Sequence, residues 1–121
     1  MVEIIIIECY FDIMCGMDFS EMIRQRYSVR KYDSRPVEDD KLRTVLEAAR
    51  VAPTAKDTQP FRIYVVKSKD AIERLRAITP MAFDAPVVIM VGAVFDECCQ
   101  SPFSGKDYSY IDTSIVTDHM M

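Results

Sequence analysis

Eight consecutive residues, Pro86-Val87-Val88-Ile89-Met90-Val91-Gly92-Ala93, carry neither charge nor a hydroxyl or amide side chain. A run so apolar and so rich in β-branched residues predicts a strand at the centre of a sheet, covered on both faces. Phe61-Arg62-Ile63-Tyr64-Val65-Val66 predicts a second buried strand on the same grounds. Two strands alone do not make a stable sheet. Further partners must come from residues beyond Met121, from another chain, or from the β-branched run Ile4–Ile7.

Helical segments separate these strands. Leu42, Val45, Leu46 and Ala49 recur at i, i+3, i+4 and i+7, the stripe of an amphipathic helix. Pro36 precedes Glu38, Asp39 and Asp40, an acidic start suited to the helix dipole, and Pro53 halts the helix. Asp18-x-x-Glu21 has the spacing of a capping box and predicts a short helix carrying Met22, Ile23 and Arg26. That helix ends near Tyr27, and Ser28 to Arg35 reads as extended. Ser68 is placed to cap a helix carrying Ile72, Leu75 and Ile78, which Pro80 ends. Ile111, Ile115 and His119 at four-residue spacing predict a last helix. Strands alternating with helices give a mixed α and β domain. Phe61, Tyr64, Phe83 and Phe95 are expected as its core aromatics.

A chain of 121 residues is one domain at most. Its net charge of −4 argues against nucleic acid or an anionic membrane as general partner, so an anion site must be a local basic cluster. Cys9, Cys15, Cys98, Cys99 and the single His119 lack the spacing of a zinc site. Adjacent cysteines rarely meet disulfide geometry, and reduced thiols in a cytoplasmic protein are expected. With glycine only at 16, 92 and 105, no Gly-x-Gly-x-x-Gly dinucleotide fingerprint exists. The Ile4–Ile7 run is too short to span a bilayer, and no basic stretch precedes it as in a signal peptide. Residues 1–16 are read as an extension upstream of a natural start at Met17, with a sheet-edge strand as the alternative. Residues 17–121 are then the domain proper.

Two segments carry chemistry. Arg26-Tyr27-Ser28-Val29-Arg30 places two guanidiniums and a hydroxyl within five residues. The planar guanidinium fork matches phosphate oxygens with paired hydrogen bonds, and serine adds a short donor. A solvated basic helix end would have the same composition. About one helix later, Ala52-Pro53-Thr54-Ala55-Lys56-Asp57-Thr58-Gln59-Pro60 sets amide and hydroxyl groups on a proline-bounded loop that runs into the Phe61 strand.

Together these segments resemble the FMN-dependent nitroreductase family. Its members open with Arg-x-Ser-x-Arg/Lys and later show Pro-Ser/Thr-x-x-Asn-x-Gln-Pro leading into a strand. Arg26, Ser28 and Arg30, then Pro53, Thr54, Asp57, Gln59 and Pro60, stand at those positions. The stretch Ile111 to Met121 is similar to a family helix that begins with aspartate, and the likeness covers Met17 to the end.

The resemblance implies an α+β fold, a mixed or antiparallel sheet flanked by helices, incomplete at the C-terminus. It implies that Arg26, Tyr27 (through its backbone), Ser28 and Arg30 hold the phosphate and ribityl end of FMN. It implies that Pro53, Thr54, Asp57 and Gln59 approach the flavin ring, in a homodimer whose interface holds the cofactor. NAD(P)H would donate hydride, and a nitroaromatic, quinone or similar small molecule would accept it. Such chemistry requires no side-chain general base, so no catalytic residue is expected. Two alternatives stand beside this one: a truncated remnant that binds FMN or a partner without turnover, and a small phosphate-binding or interaction domain.

Asp57 departs from the family's asparagine. An ionised carboxylate only accepts hydrogen bonds and would disfavour an anionic reduced flavin, so weaker FMN binding or a lower potential is expected. The chain also stops at Met121, where family members continue through a glycine-rich region and a carboxy-terminal arm.

Overall fold

The computed structural model describes residues 2–6 and 18–121. Strand β1 (Val2–Ile6) is followed by α1 (Phe19–Gln25), α2 (Asp39–Arg50), β2 (Phe61–Val66), α3 (Lys69–Ile78), β3 (Val88–Ala93) and α4 (Ser109–His119). Short 3-10 turns occupy Ala55–Asp57, Pro80–Ala82 and Phe95–Glu97. The sheet has the order β1-β3-β2 and is antiparallel throughout. The apolar run of the sequence is therefore the central strand, and residues 2–6 supply the third strand as an edge. Cys9 and Cys15 lie outside the described residues, as does the expected start at Met17.

Side chains alternate across the sheet with the period of a strand. Val87, Ile89 and Val91 share one face with Phe61, Ile63 and Val65, and this face packs against Val37, Leu42, Val45, Leu46, Ala49, Ala52, Ile115, Val116 and Met120. Helices α2 and α4 thus cover one side of the sheet. Fully burying a valine or isoleucine such as Ile89, Val91 or Val116 contributes about 1.5–3 kcal/mol. Val88 projects to the opposite face and is also fully buried. Register in β3 is consequently fixed from both sides, since a one-residue slip would exchange the two faces.

Each helix begins as its sequence dictates. Asp18 accepts a hydrogen bond from the Ser20 N–H at 3.1 Å, but Glu21 accepts from Gln25 Nε2 at 3.2 Å. Only half of the expected capping box is formed. Ser68 Oγ accepts from the Ala71 N–H at 3.4 Å and starts α3. The stripe of α2 is as expected, with Leu42 and Ala49 buried.

Several expectations are corrected. The buried side of α4 is Ser109, Asp112, Thr113, Val116 and Met120, while Ile111 is exposed and His119 bonds its own helix through Nδ1···O of Ile115 at 3.1 Å. The predicted Ile111/Ile115/His119 stripe is rotated, and polar residues occupy the buried side: Thr113 Oγ1 donates to the Ser109 carbonyl at 2.8 Å, and Asp112 Oδ1 accepts the Ala55 N–H at 2.9 Å. Ile78 is 81% exposed and does not enter the core. Tyr64 and Phe95 are likewise exposed, because Tyr64 alternates with the buried face of edge strand β2 and Phe95 lies on a surface 3-10 turn.

Candidate functional site

The basic segment begins where α1 stops. Arg26 is the C-cap, with extended backbone (φ −60°, ψ 127°), and its N–H donates to the Met22 carbonyl at 3.0 Å. Arg26 and Arg30 therefore do not share a helix face; they sit at the end of a helix and on the extended chain beyond it. Arg26, Tyr27, Ser28 and Arg30 are all exposed. The nearby phenol of Tyr32 donates to the Val29 carbonyl at 3.2 Å and pins the segment from within.

Five of the nine arginines are paired, and four, Arg24, Arg26, Arg30 and Arg43, are not, among the described residues. Arg35, Arg50, Arg62, Arg74 and Arg76 each face a carboxylate: Asp33, Glu47, Glu97, Asp70 and Asp84. Among the described residues, Arg26 and Arg30 face none, and the Ser28 hydroxyl has no hydrogen-bond partner. Two uncompensated guanidiniums and a free hydroxyl form a surface able to take an anion.

The second segment is a closed, internally bonded loop. Asp57 N–H donates to the Thr54 carbonyl at 3.0 Å, and Thr58 N–H to the Ala55 carbonyl at 3.3 Å. Gln59 N–H donates to Thr54 Oγ1 at 3.0 Å, and Gln59 Nε2 to Asp57 Oδ1 at 3.3 Å. Phe61 N–H then reaches back to the Gln59 carbonyl at 2.8 Å across buried Pro60, a γ-turn that delivers the chain into β2. The Pro60 carbonyl accepts from Val94 N–H at 2.8 Å, anchoring the loop's end beside β3.

This loop is strained. Lys56 (φ 54°), Asp57 (φ 55°) and Gln59 (φ 47°) all hold left-handed backbone without a glycine among them. Such a conformation costs a non-glycine residue about 1–2 kcal/mol, with aspartate better suited than most. Residues held this way persist where surrounding bonds over-determine them. The predicted loop contacts fall accordingly: Pro53, Asp57 and Gln59 are exposed, and Thr54 is half-buried with its hydroxyl engaged inside the loop.

One residue that sequence reasoning took only as a helix marker proves part of this architecture. Asp112, in the first turn of α4, is 1% exposed; its Oδ1 accepts the Ala55 N–H at 2.9 Å. Its Oδ2 is buried without a hydrogen-bond partner. Beside it, Asp107 accepts both the N–H (2.9 Å) and the hydroxyl of Ser109, which hold its carboxyl below the usual range. The Cys98 thiol donates to the Val94 carbonyl at 3.2 Å, and burial pushes its pKa up, with Asp107 and Asp112 adding to the effect. Cys98 and Cys99 are free thiols.

No hydrogen bond or ion pair joins Arg26, Ser28 or Arg30 to the Thr54–Gln59 loop. Among the described residues no helix is long and apolar enough to cross a membrane.

Comparison with known proteins bears on both clusters. The sequence profile described as the Nitroreductase family matches residues 23–83, which include the basic segment and the loop. A nitroreductase family protein of Clostridium difficile 630 superposes with a TM-score of 0.81 at 45% identity, over 86% of this chain and 60% of that one. A Desulfovibrio desulfuricans protein assigned as a nitroreductase, solved in complex with FMN, superposes at 0.68 with 25% identity, over 84% and 58%. A Methanothermobacter thermautotrophicus protein assigned as an NADH dehydrogenase/NAD(P)H nitroreductase is 36% identical over 88 residues, or 70% of this chain and 43% of the relative. The chain spans less than two thirds of the length of each of these relatives. From its profile match, and from a fold of helices around a small antiparallel sheet, this chain belongs to the Nitroreductase family.

Proposed function

We propose that the chain is the flavin-binding part of an FMN-dependent oxidoreductase that passes hydride from NAD(P)H to a nitroaromatic, quinone or similar small acceptor. The observation that carries this reading is that Arg26 and Arg30, neither facing a carboxylate among the described residues, flank the exposed Ser28 on extended backbone, whereas Arg24 and Arg43, which also lack an ion pair, lie within helices. The residues present fit the phosphate end of FMN. Arg26 and Arg30 supply forked donors, Ser28 a hydroxyl and Tyr27 its backbone. Pro53, Thr54, Asp57 and Gln59 form the rigid surface offered to the flavin ring, and pre-paid loop strain lowers the ordering cost of binding. When bound, FMN supplies the hydride chemistry, and the protein positions it.

A homodimer whose interface holds the cofactor belongs to the same proposal, as does a cytoplasmic setting. Residues 17–121 are read as part of the flavin domain, and residues 1–16 as an extension of which Val2–Ile6 adds the edge strand to the domain's sheet. Family membership removes the small phosphate-binding domain of incidental resemblance. A form that binds FMN or a partner without turnover is the second reading.

The test is an FMN titration followed by flavin fluorescence quenching at low and moderate salt. Saturable, salt-weakened quenching that Arg26→Ala reduces at least roughly tenfold supports the site, since each lost phosphate contact lowers affinity by that order. A folded chain that leaves the fluorescence unchanged overturns it. NAD(P)H-dependent bleaching of the bound chromophore separates the enzyme from the non-catalytic form.

A further inference from the structure

We propose that Asp112 is the positioning residue of the Thr54–Gln59 loop: its buried carboxylate holds the Ala55 N–H and thereby fixes the surface that meets the flavin. This rests on the flavin reading above. Ala55 is the first residue of the 3-10 turn, so its N–H has no acceptor within that turn. The local cap is also missing, because Thr54, the N-cap, makes no side-chain bond to the turn's N–H groups and its oxygen is engaged by Gln59 instead. Asp112 takes over that task from 57 residues away, on a helix that is itself packed against α2 and the sheet.

A carboxylate is a costly way to satisfy one amide. Asp112 is buried, accepts one neutral donor through Oδ1, and leaves Oδ2 without a partner. Desolvating an anion for a single hydrogen bond is a poor source of stability. What the arrangement secures is position. Ala55 lies directly before Lys56 and Asp57, the residues held in left-handed backbone, and its carbonyl is the acceptor for both the N–H and the hydroxyl of Thr58. Fixing Ala55 therefore fixes both ends of the strained turn. The placement of Asp57 and Gln59 then depends on a residue that is hydrogen-bonded to neither.

The test uses the full 121-residue chain, without flavin, and reads amide hydrogen exchange in Asp112→Ala and Asp112→Asn. Asparagine keeps a side-chain carbonyl to accept the Ala55 N–H and removes the charge. Asp112→Ala is expected to speed Ala55 exchange at least about tenfold, equivalent to about 1.4 kcal/mol, while the β3 amides Val88 to Val91 exchange as before. Asp112→Asn is expected to stay within about threefold of the original protein. In the FMN titration, Asp112→Ala should weaken binding at least about tenfold with the salt dependence retained, because Arg26 and Arg30 are untouched. Unchanged Ala55 exchange in Asp112→Ala, unchanged FMN affinity once Ala55 is released, or Asp112→Asn exchanging as fast as the alanine variant would each overturn the proposal. If Asp112→Ala loses β3 protection as well, Asp112→Asn decides alone: protected Ala55 with FMN binding retained supports the clamp, and exposed Ala55 overturns it. Failure of the original chain to bind FMN would sink the flavin reading, while the exchange measurement still tests the clamp.

Discussion

Thr54 Oγ1 accepts the backbone N–H of Gln59 at 3.0 Å, closing a six-residue loop across its base. The bond lets Gln59 hold φ 47° and aims its side chain back onto Asp57. Thr54→Val keeps the shape of the side chain and removes the acceptor. It is expected to cost about 0.5–1.5 kcal/mol in urea unfolding, toward the low end because Gln59 is exposed and water can replace the bond. Thr54→Ser, which keeps the oxygen, is expected to recover most of that loss. Equal losses in the two variants would show that the methyl group, not the hydroxyl, holds the loop.

How far the sequence revealed this molecule depends on which forces wrote each part. Helix α2 was legible because Leu42, Val45, Leu46 and Ala49 alternate with charged neighbours, so hydropathy alone marks the buried face. In α4 the buried face includes Ser109, Asp112 and Thr113, while Tyr110 and Ile111 are exposed. Hydropathy misreads such a helix, because hydrogen bonds, local at Thr113 and long-range at Asp112, rather than apolarity make burial tolerable there. Arg26, Ser28 and Arg30 were legible as a cluster, since their meaning lies in residue type and spacing. The left-handed backbone at Lys56, Asp57 and Gln59 was not, because no glycine or asparagine announces it. Asp112 was visible only as an acid in a helix's first turn, a common pattern that hides a long-range partner.

Asp57 stands where left-handed backbone suits asparagine at least as well as aspartate, and its carboxylate meets only Gln59 Nε2, at 3.3 Å. Asp57→Asn should therefore leave folding stability within about 0.5 kcal/mol. Under the proposed function it should tighten FMN binding roughly three- to tenfold, about 0.7–1.4 kcal/mol, by removing a negative charge near the flavin carbonyls. Fluorescence titration of both forms checks this, and equal affinities would place Asp57 outside the flavin site.

Acid sensitivity should report on the start of α4. Hydrogen bonds from the Ser109 hydroxyl and N–H lower the pKa of Asp107 in the folded chain. A depressed folded pKa contributes stability that is present above the unfolded value and is lost as pH falls through the folded value. Asp107→Asn is expected to be less stable than the original protein at neutral pH. The gap should begin to close as pH drops below the ordinary aspartate value, about 4, and vanish once pH has passed the lower folded value, where both states of the original chain are protonated. Urea midpoints collected across that range test the sign. A gap that widens in acid would show that Asp107 is not stabilised by Ser109 in the folded state.

Cys98 offers a readout of the same corner of the fold. Its thiol is half-buried, bonded to the Val94 carbonyl, and raised in pKa first by burial and then by Asp107 and Asp112. Less thiolate forms at a given pH, and the thiolate is the reactive species. Alkylation at pH 8, followed residue by residue through peptide mass, should be several-fold slower at Cys98 in the folded chain than in urea. The lag should shorten in Asp107→Asn, which removes one of the three repelling carboxylates, Asp107, Asp112 and Glu97, while leaving the burial intact. If Cys98 instead reacted as fast as an unfolded thiol, or formed a bond with Cys99 under mild oxidation, the adjacent thiols would be a redox pair rather than an inert part of the packing behind α4.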